Sequence, residues 1–244
     1  MDSTFLFKGK WHTGDDLTPP AHPRCACAME YIEESPPIYP SESIPEIKVS
    51  ITQEEPLREY TAEEIKDIAA QTEEIASKHI SIPSKYSGNM VIDDKDIINS
   101  EGVVVNYGKL WDCDILTKHE TAPSIILHEQ IHARSISYFE LSFYNIYNNI
   151  EEASAQLMTE EICKIEGIEI ISSYYDEMCD VLRTINKRLK VCDNTYNFAK
   201  KLIEVPVTER FDWLSNKMYG ILSDDETATL EEYQELAEKL NTLY

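Results

Sequence analysis

From residue 61 onward the apolar positions fall into a few regular patterns. Ile65, Ile68, Ala69, Thr72, Ile75 and Ala76 recur at intervals of three and four, which predicts one buried stripe of a helix. Thr61 followed by Glu64 reads as the capping box that starts it. The spacing then changes. The runs "KYSGNMVID" (85–93) and "GVVVNYG" (102–108) read as strands, with "DDKD" and "NSEG" as turns between them and "WDCDIL" (111–116) as a candidate third strand. After residue 120 helical spacing dominates and predicts helices near 122–136, 139–166, 173–190, 194–204, 208–219 and 225–242. Pro123 suits the first turn of the first of these, and Ser223 with Glu226 reads as the cap of the last. The order predicts an α+β chain: a helix, a small sheet, then a mostly helical C-terminal half.

Residues 1–33 follow neither pattern. They hold the proline-rich "TPPAHPRCAC" and a short strand candidate, "AMEYIEE". The stretch "SPPIYPSESIPEI", with four prolines, is too broken for a helix or a central strand, so residues 34–48 read as a linker. Residues 49–244 are then the principal domain.

Composition narrows the function. Of 244 residues 42% are hydrophobic, enough for a real core, and the formal net charge is −23. A polyanionic backbone is repelled by such a chain, which excludes nucleic-acid binding through phosphates. No apolar run is long enough to span a membrane. The first thirty residues lack an apolar segment behind a basic start, so no signal peptide is expected, and the location expected is cytoplasmic or virion-associated. The six cysteines are Cys25, Cys27, Cys113, Cys163, Cys179 and Cys192. Without an export signal they read as reduced thiols, and the last four as structural ones.

The chemistry is concentrated in "IILHEQIHARS" (125–135). Residues four apart on a helix differ by about 40° in azimuth and about 6 Å in height, so His128 and His132 can address one cation from one face. Glu129 lies beside His128 and can reach a bound water without taking a coordination position. Two neutral imidazoles, an open position and a neighbouring base are what a hydrolytic zinc site requires. The competing reading is a core helix whose two histidines each find a hydrogen-bond partner.

His128-Glu129-Gln130-Ile131-His132, with "NNIEEASAQLMTEEI" about twenty residues on, resembles the gluzincin branch of the zincin metallopeptidases. The resemblance implies one zinc ion and a third ligand on the next long helix. Glu152, with Ala155 three residues on, matches the family pattern E-x-x-A. Glu151 is the alternative, and lies nearer the apolar face of Ile150, Leu157, Met158 and Ile165. By the same resemblance Gln156 is a candidate partner for a ligating histidine, and "GVVVNYG" stands where the family has its cleft-side strand. Glu129 is implied as the base that takes a proton from water and passes it to the departing amine. Tyr174 or Tyr175 is favoured as the donor to the developing oxyanion, with Tyr138, His119 and Arg134 as further candidates. The implied partner is a protein or peptide substrate.

A second resemblance is confined to residues 11–33. Trp11, Asp15, Asp16, Pro19, Pro20, His22, Pro23, Cys25 and Cys27, followed by a short strand, are similar to the C-terminal end of phage minor head (head-morphogenesis) proteins. Ala26 replaces the usual arginine and no C-x-x-C pair stands upstream. His22, Cys25 and Cys27 are a candidate second zinc site, with His12 as a fourth ligand. Together the resemblances imply a phage-associated metallopeptidase, with phage head components as candidate partners. The alternatives are a virion structural or assembly protein that keeps the fold without turnover, and a metal-dependent toxin acting on a host protein.

Overall fold

The structure is a computed structural model, which describes residues 5–7, 10–12, 57–95, 97–98, 104–105, 108–111, 113–136, 138, 144–171 and 175–243. The expected linker at 34–48 and the His22, Cys25, Cys27 site lie outside these residues. Of the N-terminal segment only two paired strands are described, β1 (Phe5–Phe7) and β2 (Lys10–His12).

Strand β3 (Arg58–Glu59) leads into helix α1 (Ala62–His79). The capping box forms as expected: the Glu64 amide donates to Thr61 Oγ1 at 3.3 Å and the Thr61 amide to Glu64 Oε2 at 2.8 Å. Ile65, Ala69, Thr72, Ala76 and His79 are buried. The sheet region is made of short pieces: β4 (Met90–Ile92), β5 (Ile97–Ile98), β6 (Val104–Val105), β7 (Gly108–Trp111), β8 (Asp114–Thr117) and β9 (Glu120–Thr121). Strands β4, β8 and β7 form one sheet in that order, β4 parallel and β7 antiparallel to β8. Of the 102–108 run, the described residues fall in two different strands. Val104–Val105 pairs with Ile97–Ile98, while Gly108 opens the separate edge strand β7. Nor is "WDCDIL" a strand. Trp111 faces Asp114 across a tight hairpin in which Cys113 takes a positive φ of 74°.

Helix α2 (Pro123–His132) starts without a side-chain cap, on Pro123, and ends four residues before the expected boundary. There the chain tightens: the Arg134 amide donates to the Ile131 carbonyl and Ser135 to His132, both at 3.0 Å. Five helices follow: α3 (Tyr144–Glu166), α4 (Asp176–Leu189), α5 (Thr195–Glu204), α6 (Val207–Asp224) and α7 (Leu230–Asn241). Gly167, at φ 71°, ends α3. Helix α6 runs straight through Gly220, because Leu214, Met218 and Leu222 continue its buried stripe. The cap expected at Ser223 is consequently inside α6, and Thr229 caps α7 instead, accepting from the Glu232 amide at 3.2 Å.

The helices share one apolar cluster and the sheet with α1 forms another. Helix α2 belongs to both: Leu127 and Ile131 enter the helical cluster, Ile126 and Ala133 the sheet cluster. A helix packed on both sides is buried all round, as Ile126–His132 are, and Gln130, polar and outside the site, donates to the Ala69 carbonyl of α1 at 2.8 Å. The protein is thus α+β and mostly helical. Among the described residues no helix is long and apolar enough to cross a membrane. Cys163 and Cys179 are buried, and burial pushes the Cys163 thiol up to about 12, while Cys113 and Cys192 are half-buried.

Candidate metal centre

Helix α2 lies against α3, and their facing turns carry five ionisable side chains within one small volume. His128 Nε2 and His132 Nε2 are 3.0 Å apart, and each lies 3.2 Å from Glu152 Oε2. The i, i+4 spacing does what helical geometry requires of it, and Glu152 closes the triangle from the neighbouring helix. Relative exposure is 9% for His128, 2% for His132 and 9% for Glu152.

Which proton assignments this triangle tolerates can be worked out from its neighbours. His132 Nδ1 lies 2.7 Å from Glu151 Oε1. The Glu151 carboxylate also accepts from Ser135 Oγ at 2.9 Å and from Arg210 Nη1 at 2.5 Å, so it is an acceptor on every side. The proton between Glu151 and His132 therefore belongs to Nδ1. For a neutral ring this leaves Nε2 as a lone pair, facing a second ring nitrogen and a carboxylate oxygen. One proton cannot bridge all three. A cation at the centre can, and tetrahedral zinc with bonds of about 2.0–2.1 Å spaces its ligand atoms roughly 3.3–3.4 Å apart. Two imidazoles and a carboxylate so arranged fit that ion.

Glu151 is fully buried and so is Arg210. Burial acts to raise the Glu151 pKa, but the Arg210 guanidinium, with His132 and Ser135, outweighs it and holds the carboxyl below its usual range. Burial likewise raises and the two histidines lower Glu152, which ends well below the ordinary value. His132 is pushed the other way: burial opposes its charge, yet Glu152, Tyr138 and Glu151 together raise its pKa well above the ordinary value. Either a metal ion or a proton on His132 thus answers the negative charge of the two glutamates.

Glu129 turns toward the sheet. Its Oε2 accepts from the Leu110 amide of β7 at 2.7 Å. Gly108 makes that approach feasible: a Cβ there would stand 2.7 Å from Ile125 Cγ2 and 3.4 Å from Glu129 Cγ. The strand described against Glu129 is therefore β7, of which only Gly108 belongs to the 102–108 run.

The remaining candidates separate clearly. The Tyr175 ring is stacked parallel to His128, at 6.1 Å and 4°, and Tyr138 is stacked on His132, at 4.9 Å and 28°. Tyr174 lies outside the described residues. His119 is away from the site, where its backbone amide and its ring both bond Asp94. Arg134 ties α2 to α1 through Glu73 and the Ile82 carbonyl. Gln156 bonds Glu160 and not a histidine; the partner expected of it is supplied by Glu151. Two contributors were not anticipated, Arg210 and Ser135. Arg210 could have been found, because it interrupts the apolar stripe Val207, Phe211, Leu214, Met218 of α6.

Protein-family models, curated proteins and solved structures contain no match to this chain.

Proposed function

We propose that this protein is a zinc-dependent peptidase of the zincin type, with His128, His132 and Glu152 as ligands and Glu129 as general base. One observation carries the reading: three lone-pair donors from two helices converge on a point, beside a carboxylate that is not one of them. When bound there, zinc supplies a Lewis acid that makes a water nucleophilic near neutral pH.

The chain's own groups supply the rest. Glu129 is anchored through Oε2, which leaves Oε1 to accept a proton and return it to the leaving amine. Tyr175 stacks on one ligand and Tyr138 on the other, which supports both as candidate donors to an oxyanion. Ring stacking and the Glu151 contact hold the imidazoles in plane before substrate arrives.

A second reading has one observation in its favour. With its pKa raised between two glutamates, His132 as a cation would complete a buried network that joins α2, α3 and α6 without metal. That suits the structural or assembly protein, and the phage-head resemblance of residues 11–33 points the same way.

Metal analysis and peptide hydrolysis separate the two. About one zinc per chain is expected at this site, together with cleavage of a mixed peptide library. Glu129→Gln should keep the metal and lose roughly 10²–10⁴-fold in hydrolysis. Purified protein that takes up no zinc ends the peptidase reading and leaves the structural one.

A further inference from the structure

Arg210 is a fully buried cation on a helix that contributes nothing else to the site. It lies on the first turn of α6, and its guanidinium is spread over three acceptors from three parts of the chain: Glu151 Oε2 of α3 at 2.5 Å, Ser135 Oγ beyond α2 at 2.9 Å and the Val205 carbonyl beyond α5 at 3.2 Å. Ser135 in turn donates to the same Glu151 oxygen, at 2.9 Å. Both donors thus take Oε2, and Oε1 is the oxygen left for His132 Nδ1, 2.7 Å away. A carboxylate rotates freely about its last bond unless its oxygens are pinned; here one is pinned twice, by Ser135 just beyond α2 and by Arg210 from α6, a helix outside the cluster. The next contact in line is His132 Nε2, directed at His128 and Glu152.

We infer that Arg210 is a positioning residue for the metal centre: through Glu151 it fixes the ring plane of His132 and the proton on Nδ1, so that Nε2 is presented as a ligand. The inference rests on the zinc reading above for its purpose, but the Arg210–Glu151–His132 connection stands on contacts alone. It departs from what the sequence resemblance implied, in which Gln156 filled the supporting role. The orienting carboxylate is instead the residue next to the ligand, and it is itself oriented from α6.

The test uses the full chain, with Arg210→Met and Arg210→Lys. In ¹⁵N-labelled wild-type protein the Nδ1–H proton of His132 should resonate downfield and resist exchange, with or without Zn²⁺. In Arg210→Met it should move upfield or broaden by exchange, and Zn²⁺ affinity, read by competition with a chromophoric chelator, should fall roughly 10–100-fold. Arg210→Lys keeps the charge but replaces a fork with one ammonium, so a loss of about tenfold is expected. Arg134→Met, which breaks the pair to Glu73 of α1, is the control: it costs stability without moving the proton or the affinity. Should Arg210→Met fail to fold, Arg210→Lys decides by the same two readouts. An unchanged proton and an affinity within about threefold of wild type overturn the inference. Wild-type protein that binds no Zn²⁺ sinks the proposed function instead, since the proton readout needs no metal.

Discussion

Glu151 and Glu152 are neighbours of the same type on the same helix, yet the structure gives them separate work. One turns to Arg210, Ser135 and His132 Nδ1; the other faces the two Nε2 atoms. Their substitutions should therefore differ in kind. Glu152→Gln should abolish tight zinc uptake, measured by metal analysis after dialysis, with a modest change in stability. Arg210→Met leaves Glu151 buried without its counter-ion and should destabilise the protein by about 3–5 kcal/mol in urea unfolding. Gly108→Ala puts a methyl into Ile125; about 1–3 kcal/mol of stability should go, and peptidase activity with it, as the Leu110 amide is pushed off Glu129. The HEQIH spacing was legible because four residues on a helix fix a face. The choice between Glu151 and Glu152 was not, because residues 150–160 of α3 are buried on every side and helical phase then discriminates nothing. Ile165, taken as part of the apolar face, is 58% exposed.

Among elements, a capping pair was legible only where packing did not overrule it. Thr61 with Glu64 starts α1 as read. Ser223 with Glu226 offers the same letters, but Leu222 keeps that turn in the helical core, and the working pair is Thr229 with Glu232. Thr229→Ala should cost about 1 kcal/mol in thermal or urea unfolding, whereas a Ser223→Ala change removes no cap and should cost distinctly less. The turn between α6 and α7 adds a pH dependence. Thr227, through its hydroxyl and amide, and then Arg188 hold Asp225 down to about 2. A depressed carboxylate pKa contributes stability that is complete above the unfolded value, about 3.9, and lost as pH falls through the folded one. Asp225→Asn should therefore flatten the fall of stability between about pH 4 and pH 2, read from melting curves across that window. The strands were the least legible elements. Two to four residues are too few for alternation to register, and which neighbour each pairs with depends on contacts distant in sequence.

At the scale of the whole molecule, α2 sits between two apolar clusters and the candidate ligands sit between α2 and α3. Anything that stabilises the contact of those two helices stabilises the protein. Zinc that binds only the folded chain adds about 2.7 kcal/mol when its free concentration is a hundred times Kd. Chelation should accordingly lower the melting temperature in wild type and leave Glu152→Gln unmoved, a comparison that calorimetry makes directly. The net charge of −23 was legible from composition alone and has its own consequence: mutual repulsion weakens the folded state, so added salt should raise the melting temperature.

The hydrogen bond from the Leu110 amide to Glu129 has one more effect. Gly108 and Leu110 share a parity on β7, and the Leu110 N–H points away from β8, toward the rim of the sheet. An extended chain approaching that rim would find this rung of the ladder already taken by the Glu129 side chain, and would have to compete with it for the Leu110 amide. On the proposed reading, entry of a guest strand and release of Glu129 from β7 would be a single exchange of partners.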